Sequence, residues 1–228
     1  MNSSRKTAIA VGVLFLVATI AGVSQFPFLK SINAPDYLSS IAAHQNHIVT
    51  AVLLDLIMIG AVLAIPVVLF PILEKHSERI ARGYVVARIF EATPLVIGVF
   101  SMMALLTLSQ DFVAAGATDA VHYQTLGVLL LETCDWTLLI GGQVILSLTA
   151  LILNYSMYRT KLIPRLLSGW GLVGVPLMLA SGVIVMFGVV GPSSTPQVLL
   201  MLPLALQEMV FAVWLIVKGF NQAAIASE

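Results

Sequence analysis

Residues 48–73 read IVTAVLLDLIMIGAVLAIPVVLFPIL, a run whose single charged side chain is Asp55. A helix needs about 20 mainly apolar residues to cross the hydrocarbon core of a bilayer, and this run exceeds that length. Working outward, five further segments meet the same requirement: 7–29, 83–108, 126–155, 168–190 and 198–217. The loops between them are short and polar, with turn residues such as Asn33, Pro35, Pro192 and Pro196. The expected fold is an all-α integral membrane protein, a six-transmembrane-helix bundle forming a single transmembrane domain over residues 1–228.

Composition agrees. The 228 residues are 59% hydrophobic and 10% charged, with a mean hydropathy of +1.02, whereas about a quarter of the residues of a soluble domain are charged. Eleven basic and 11 acidic residues leave no net charge, so no basic field attracts nucleic acid. Cys134 is alone, which rules out an intrachain disulfide. The first apolar run outlasts the roughly 7–15 residues of a signal-peptide core, so it reads as an uncleaved span. No cofactor is implied, and the partners expected from composition are membrane lipids, with a homo-oligomer compatible.

Orientation follows from lysine and arginine, which cytoplasmic loops retain. Arg5, Lys6, Lys75, Arg79, Arg82, Arg159, Lys161, Arg165 and Lys218 fall on one side of a six-span chain. Lys30 falls opposite, with Asp36, Asp111 and Asp119. Both termini are therefore expected in the cytoplasm.

The fourth segment is awkward. A helix from Asp119 to Tyr158 would be about 60 Å long at 1.5 Å per residue, so it should protrude or break, with His122 and Tyr123 projecting outside or lying along the surface. Pro66, Pro94, Pro176 and Pro203 fall within spans, where a missing N–H and a steric clash favour kinks. A comparison of the two three-span halves shows no convincing internal repeat.

The informative residues are five carboxylates within spans: Asp55, Glu91, Glu132, Asp135 and Glu208. Counted from the span ends, each lies roughly 9 to 14 Å from the nearer face of a core about 30 Å thick, which puts them on one level. An aspartate at a helix centre costs about 2.5–3.5 kcal/mol in insertion, so these groups should face one another, dipoles, water or a cation. Arg88 and Glu91 stand three apart on one helix face and can pair. Glu132 and Asp135 repeat that spacing, with Gln143 two turns on. One arginine cannot neutralise five acids. The remaining carboxylates read as a site for a proton, a small cation or an amine. The competing reading is a buried network that sets helix register.

Near the opposite surface His44 and His47 share the i, i+3 spacing of one helix face, and His122 begins the fourth segment at similar height. Metal binding needs more ligands than these at the right spacing, and surface histidines are commonly solvated or capping residues. Gly169, Gly171 and Gly174 spell G-x-G-x-x-G, but no strand precedes them, so close helix packing explains them better than a dinucleotide. Cys134 has no histidine near it in depth and reads as packing. Trp170, Trp214, Tyr155 and Tyr158 sit where interfacial anchors do.

Several stretches carry a resemblance: Ala87-Arg88-Ile89-Phe90-Glu91-Ala92, Asp135-Trp136, the run from Tyr158 to Leu172, Leu206-Gln207-Glu208 and the run from Val213 to Phe220. Through them nearly the whole chain resembles a family of bacterial six-span proteins known as domain of unknown function 4386. The resemblance implies a topology and a bacterial cytoplasmic membrane, and it implies no activity. The leading expectation is a small transporter or ligand-binding protein with an acidic midplane site for protons or a cationic solute. The alternatives are a non-catalytic regulatory or interaction subunit, whose acids would be fully paired, and a lipid-acting enzyme, which would need a nucleophile or metal beside Glu132 and Asp135.

Overall fold

Lipid offers no partner for a backbone N–H or C=O, so a chain this apolar satisfies its backbone in long helices. The computed structural model describes residues 3–116 and 120–226, and Asp119 lies outside the described residues. The helices are α1 (Ser3–Ser24), α2 (Tyr37–Ala43), α3 (Gln45–His76), α4 (Glu78–Ala114), α5 (Ala120–Leu139), α6 (Leu146–Thr160), α7 (Arg165–Met186), α8 (Thr195–Val217) and α9 (Gln222–Ala226). A 3-10 stretch, Phe26–Asn33, continues α1, and a π-helical turn, Ile140–Ile145, joins α5 to α6. Among the described residues 6 helical segments are long and apolar enough to cross a membrane, and each contains or overlaps one of the six expected spans.

The fifth span ends at Met186 rather than near 190. Gly188 takes φ 66°, its N–H bonds Val185 O at 2.9 Å and the N–H of Val189 bonds Ile184 O at 2.9 Å. This pair of bonds closes a helix at a left-handed residue, and hydropathy does not register it. Pro66, Pro71, Pro94, Pro176 and Pro203 all lie inside helices that continue past them.

The start of α1 and the end of α8 lie at one end of the bundle. The Arg5 guanidinium donates to Leu215 O, Ile216 O and Val217 O at 3.0, 2.6 and 3.1 Å, satisfying carbonyls that the end of α8 leaves unpaired. At this basic end α1 packs on α3 and α8, α4 on α3 and α6, and α7 on α6 and α8, closing a ring. Phe15, Leu69, Tyr84, Met157, Phe211 and Leu215 belong to its common core. A Cβ on Gly12 would stand 2.6 Å from Ala212 O, and one on Gly174 3.0 Å from Leu204 Cα, so α8 meets α1 and α7 at backbone distance. Gly171 lies against the Asn154 side chain. The glycine pattern at 169–174 is a packing surface, as small residues in membrane helices provide.

The far end is built differently. The spans containing α3, α4 and α5–α6 run 32, 37 and 41 residues, while α7 and α8 have 22 and 23. Starting from a shared basic end, the longer helices must overhang the shorter ones. Their overhang packs with α2 and the 3-10 stretch around Leu38, Ile48, Val99 and Leu105, a core separate from that of the basic end. Tyr37 ties this lobe together by donating its hydroxyl to Gln124 O at 3.1 Å, and burial pushes its phenol up. The fourth segment thus does two things at once: it protrudes through His122 and Tyr123, and it widens into a π turn.

Candidate functional site

At a rise of roughly 1.5 Å per residue, Arg88, Glu91 and Glu208 stand roughly 14 to 20 Å from the basic end, while Asp55, Asp135 and Glu132 stand roughly 32 to 42 Å from it. The five acids therefore do not share the single level expected of them. It followed from counting in from both ends of helices as though all ended together, and the overhang of α3, α4 and α5 removes that assumption.

The first group is closed. Arg88 and Glu91 are each 2% exposed, and Arg88 Nη1 donates to Glu91 Oε1 at 2.9 Å. Arg88 Nε donates to the Tyr84 hydroxyl at 3.0 Å. The guanidinium also lies 5.6 Å from the Phe15 ring centre and 5.4 Å from that of Tyr84. The i, i+3 pairing read from sequence is present. Glu208, partly buried on α8, lies within electrostatic range of both members. Arg88 Nη2 and Glu91 Oε2 are buried without a hydrogen-bond partner among the described residues. Thr149 is beside Glu91, but its hydroxyl proton is taken by Ile145 O at 3.0 Å.

The second group is open. Glu132 and Asp135 are exposed on α5 and have no ion-pair partner among the described residues. They line a cleft of about 420 Å³ between α5 and the turn joining α7 to α8. Trp136 stands on its wall, with Gln143 and Gln197 also lining it. Asp135 also reaches a second, smaller cavity of about 90 Å³, where Asp55 and Gln25 meet it between α1, α3, α4 and α5. Gln25 lies within hydrogen-bonding reach of Asp55. The structure thus joins Asp55, Glu132 and Asp135 into one acidic region, apart from Arg88, Glu91 and Glu208.

The floor of the cleft joins Gln143, which the sequence set two turns on from Asp135, to Ser181 and Gln197, which sequence reading passed over. Gln143 Oε1 accepts from Gln197 Nε2 at 3.1 Å and lies 3.4 Å from Ser181 Oγ, whose shorter bond runs to Met178 O at 2.7 Å. Gln197 Oε1 in turn accepts the backbone N–H of Ser193 at 2.6 Å, fixing the α7–α8 turn. Below it Gln207 Nε2 donates to Asn154 Oδ1 at 3.1 Å and to Leu167 O at 3.3 Å. Gln197 and Asn154 are isolated letters in apolar runs, and only their pairing across helices marks them. The π turn seats them: a Cβ on Gly141 would lie 3.0 Å from Glu91 O and 2.9 Å from Pro94 Cγ, so the widened backbone brings α4 against α6. Such turns recur at functional positions in helices.

The histidine expectation changes. His44 falls between α2 and α3 as a cap residue, so His44 and His47 do not share one helix face. Their rings remain 5.5 Å apart, and His44 Nδ1 is 2.9 Å from Ser40 O. His122 is exposed on the first turn of α5, and among the described residues no three His, Cys, Asp or Glu side chains group to hold a metal. Cys134 directs its thiol to Gly98 O at 3.6 Å. At the basic end Arg159 lies over Tyr155 and Arg165 over Tyr158, at 5.9 and 5.2 Å, consistent with an interfacial belt.

No curated protein matches the chain, and no solved structure does. A family model does, over residues 10–219, spanning both the closed charge group and the open cleft. Its description is a domain of unknown function, DUF4386, and this chain, a multi-span membrane protein, belongs to that family.

Proposed function

We propose that the protein binds a small organic cation, an amine or quaternary ammonium ion, in the cleft between α5 and the α7–α8 turn. The observation that carries this reading is the pairing of two carboxylates, Glu132 and Asp135, lacking a cationic partner among the described residues, with the indole of Trp136 beside a space of about 420 Å³. A carboxylate supplies the counter-charge and an indole face attracts an ammonium ion. The Gln143 and Gln197 amides at the floor offer neutral hydrogen-bonding groups that fix orientation.

The gathering of positive charge at the basic end supports reading that end, and with it both termini, as cytoplasmic in a bacterial inner membrane. The cleft then opens toward the outside, where a small transporter or solute-binding protein meets its ligand. The interaction-subunit reading requires the acids to be fully paired, and Glu132 and Asp135 are unpaired among the described residues beside a cavity. The lipid-enzyme reading requires a nucleophile beside them, and the nearest candidate, Cys134, is turned to Gly98 O.

The test is thermal unfolding of the protein in nanodiscs with methylammonium, tetramethylammonium and putrescine. At least one should raise the melting temperature. Glu132→Gln with Asp135→Asn should weaken that binding about 10- to 100-fold, the worth of hydrogen bonds to charged groups. Binding should fall with pH, since a protonated carboxyl no longer holds an ammonium ion. A panel without effect on the parent protein, or a double variant that responds like the parent, would overturn the reading.

A further inference from the structure

The basic end holds two adjoining cavities that the proposed cation site does not involve. One, of about 710 Å³, lies between the α3–α4 turn, the end of α6 and the C-terminal turn, and is lined by Arg159, Lys161, Ser77, Thr160 and Asn221 among others. The other, of about 500 Å³, lies across the Lys161–Asn221 contact and is lined by Lys161, Arg165, Lys218 and Trp214. Among the described residues no carboxylate lines either one. None of Arg159, Lys161, Arg165 and Lys218 has an acidic partner among the described residues, and Glu78, next to Ser77, pairs with Arg82.

The partition between the cavities is built rather than incidental. Lys161 ends α6 in the left-handed region, at φ 54°, where a side chain is disfavoured and glycine would suit better. The conformation is held from outside: the Asn221 N–H donates to Leu162 O at 2.8 Å and Asn221 Nδ2 to Lys161 O at 3.3 Å. Gly219, at φ 76°, makes the turn that brings Asn221 there, and the same turn puts Lys218 on the second cavity. Two turns are locked together so that a lysine stands on a backbone that favours glycine, shared by two basic cavities. Ser77 Oγ accepts the Ile80 N–H at 3.4 Å and so keeps its own proton to donate.

We propose that these cavities bind a phosphate-bearing anion, with Lys161 as the shared cation, Arg159 and Ser77 on one side and Arg165 and Lys218 on the other. Trp214, partly exposed on the wall of the second cavity, favours an anion attached to an acyl chain, that is, the headgroup of an anionic phospholipid. Basic pockets at the ends of membrane helices recognise headgroups by this chemistry. The site is independent of the cation cleft at the far end.

The experiment measures lipid bound to the purified protein by native mass spectrometry, and its melting temperature in detergent, with short-chain phosphatidylglycerol, the matching phosphatidylcholine, or inorganic phosphate. The parent protein should prefer phosphatidylglycerol. Lys161→Gly with Arg165→Gln should lower that preference roughly 30-fold, the effect of two interfacial cations. It should melt no lower than the parent without lipid, because glycine suits the left-handed position. Lys161→Arg with Arg165→Lys should keep the preference, and Lys218→Gln provides an independent variant if the double one unfolds. Stabilisation by inorganic phosphate equal to that by the lipid would assign the site to a soluble phosphate compound. Equal binding of both lipids with no response to phosphate, or an unchanged preference in the neutral variants, overturns the proposal.

Discussion

Glu91 and Asp135 are both carboxylates in the middle of apolar segments, yet the two ends of the bundle treat them in opposite ways. At the basic end six spans close into a ring, Glu91 is 2% exposed and it faces Arg88. At the far end the long helices stand clear of α7 and α8, and Asp135 lines an open cleft beside Glu132 with no lysine or arginine on it among the described residues. A buried charge must be paired because its desolvation is offset by little else. A charge exposed on an open cleft is under no such constraint. The structure therefore spends its one membrane-embedded arginine on the closed end and leaves the open end acidic.

The contrast is testable through stability, and the largest effect belongs to the buried pair. Arg88→Met strands Glu91, and Glu91→Gln strands Arg88; each should lose about 3–5 kcal/mol in reversible unfolding in detergent. Combining Arg88→Met with Glu91→Leu should recover most of that loss. If the single variants cost no more than surface substitutions, the closed end is wetter than its geometry implies.

Next come the glycine contacts that close the ring. Gly174→Val sets a side chain against the Leu204 backbone and Gly141→Leu one against Glu91 O and Pro94, so each should cost about 1–3 kcal/mol by overpacking. Gly60, whose Cβ would meet nothing within 4 Å, is the control and should accept alanine. Gln143→Leu removes the acceptor of Gln197, and a loss of about 1 kcal/mol is expected, given the modest worth of hydrogen bonds between membrane helices. Its cleft should also loosen, seen as faster hydrogen exchange at the Ser193 amide.

The smallest effect should be at the open end. Glu132→Gln and Asp135→Asn should each change stability by less than about 0.5 kcal/mol, in line with substitutions away from buried networks. A loss as large as that of Glu91→Gln would show that the far-end acids have partners and would erase the difference between the ends.

Much of this was legible in advance, and the reason is local. Each apolar run carries its own crossing, because lipid forces every backbone group to be satisfied within the segment. The Arg88–Glu91 contact was equally legible, since i, i+3 neighbours on a helix meet whatever surrounds them. The far-end lobe was not. Asp55 and Asp135 lie far apart in sequence, and their depth depends on how far α3 and α5 overrun α7 and α8. The break at His44 and the end of α7 at Gly188 were missed for a similar reason. Both depend on backbone geometry that hydropathy does not encode.

Sequence alone determined that the chain lives in a membrane as six helices, that its positive charge gathers at one end, and that Arg88 can pair with Glu91. These follow from composition, length and the pitch of a single helix. Only the tertiary structure decided that the five acids separate into a closed and an open group, that Gln143, Ser181 and Gln197 meet, and that Lys161 and Asn221 divide two basic cavities. Those relations join residues on different helices, and their distances depend on relative helix length and packing, quantities that no single segment contains.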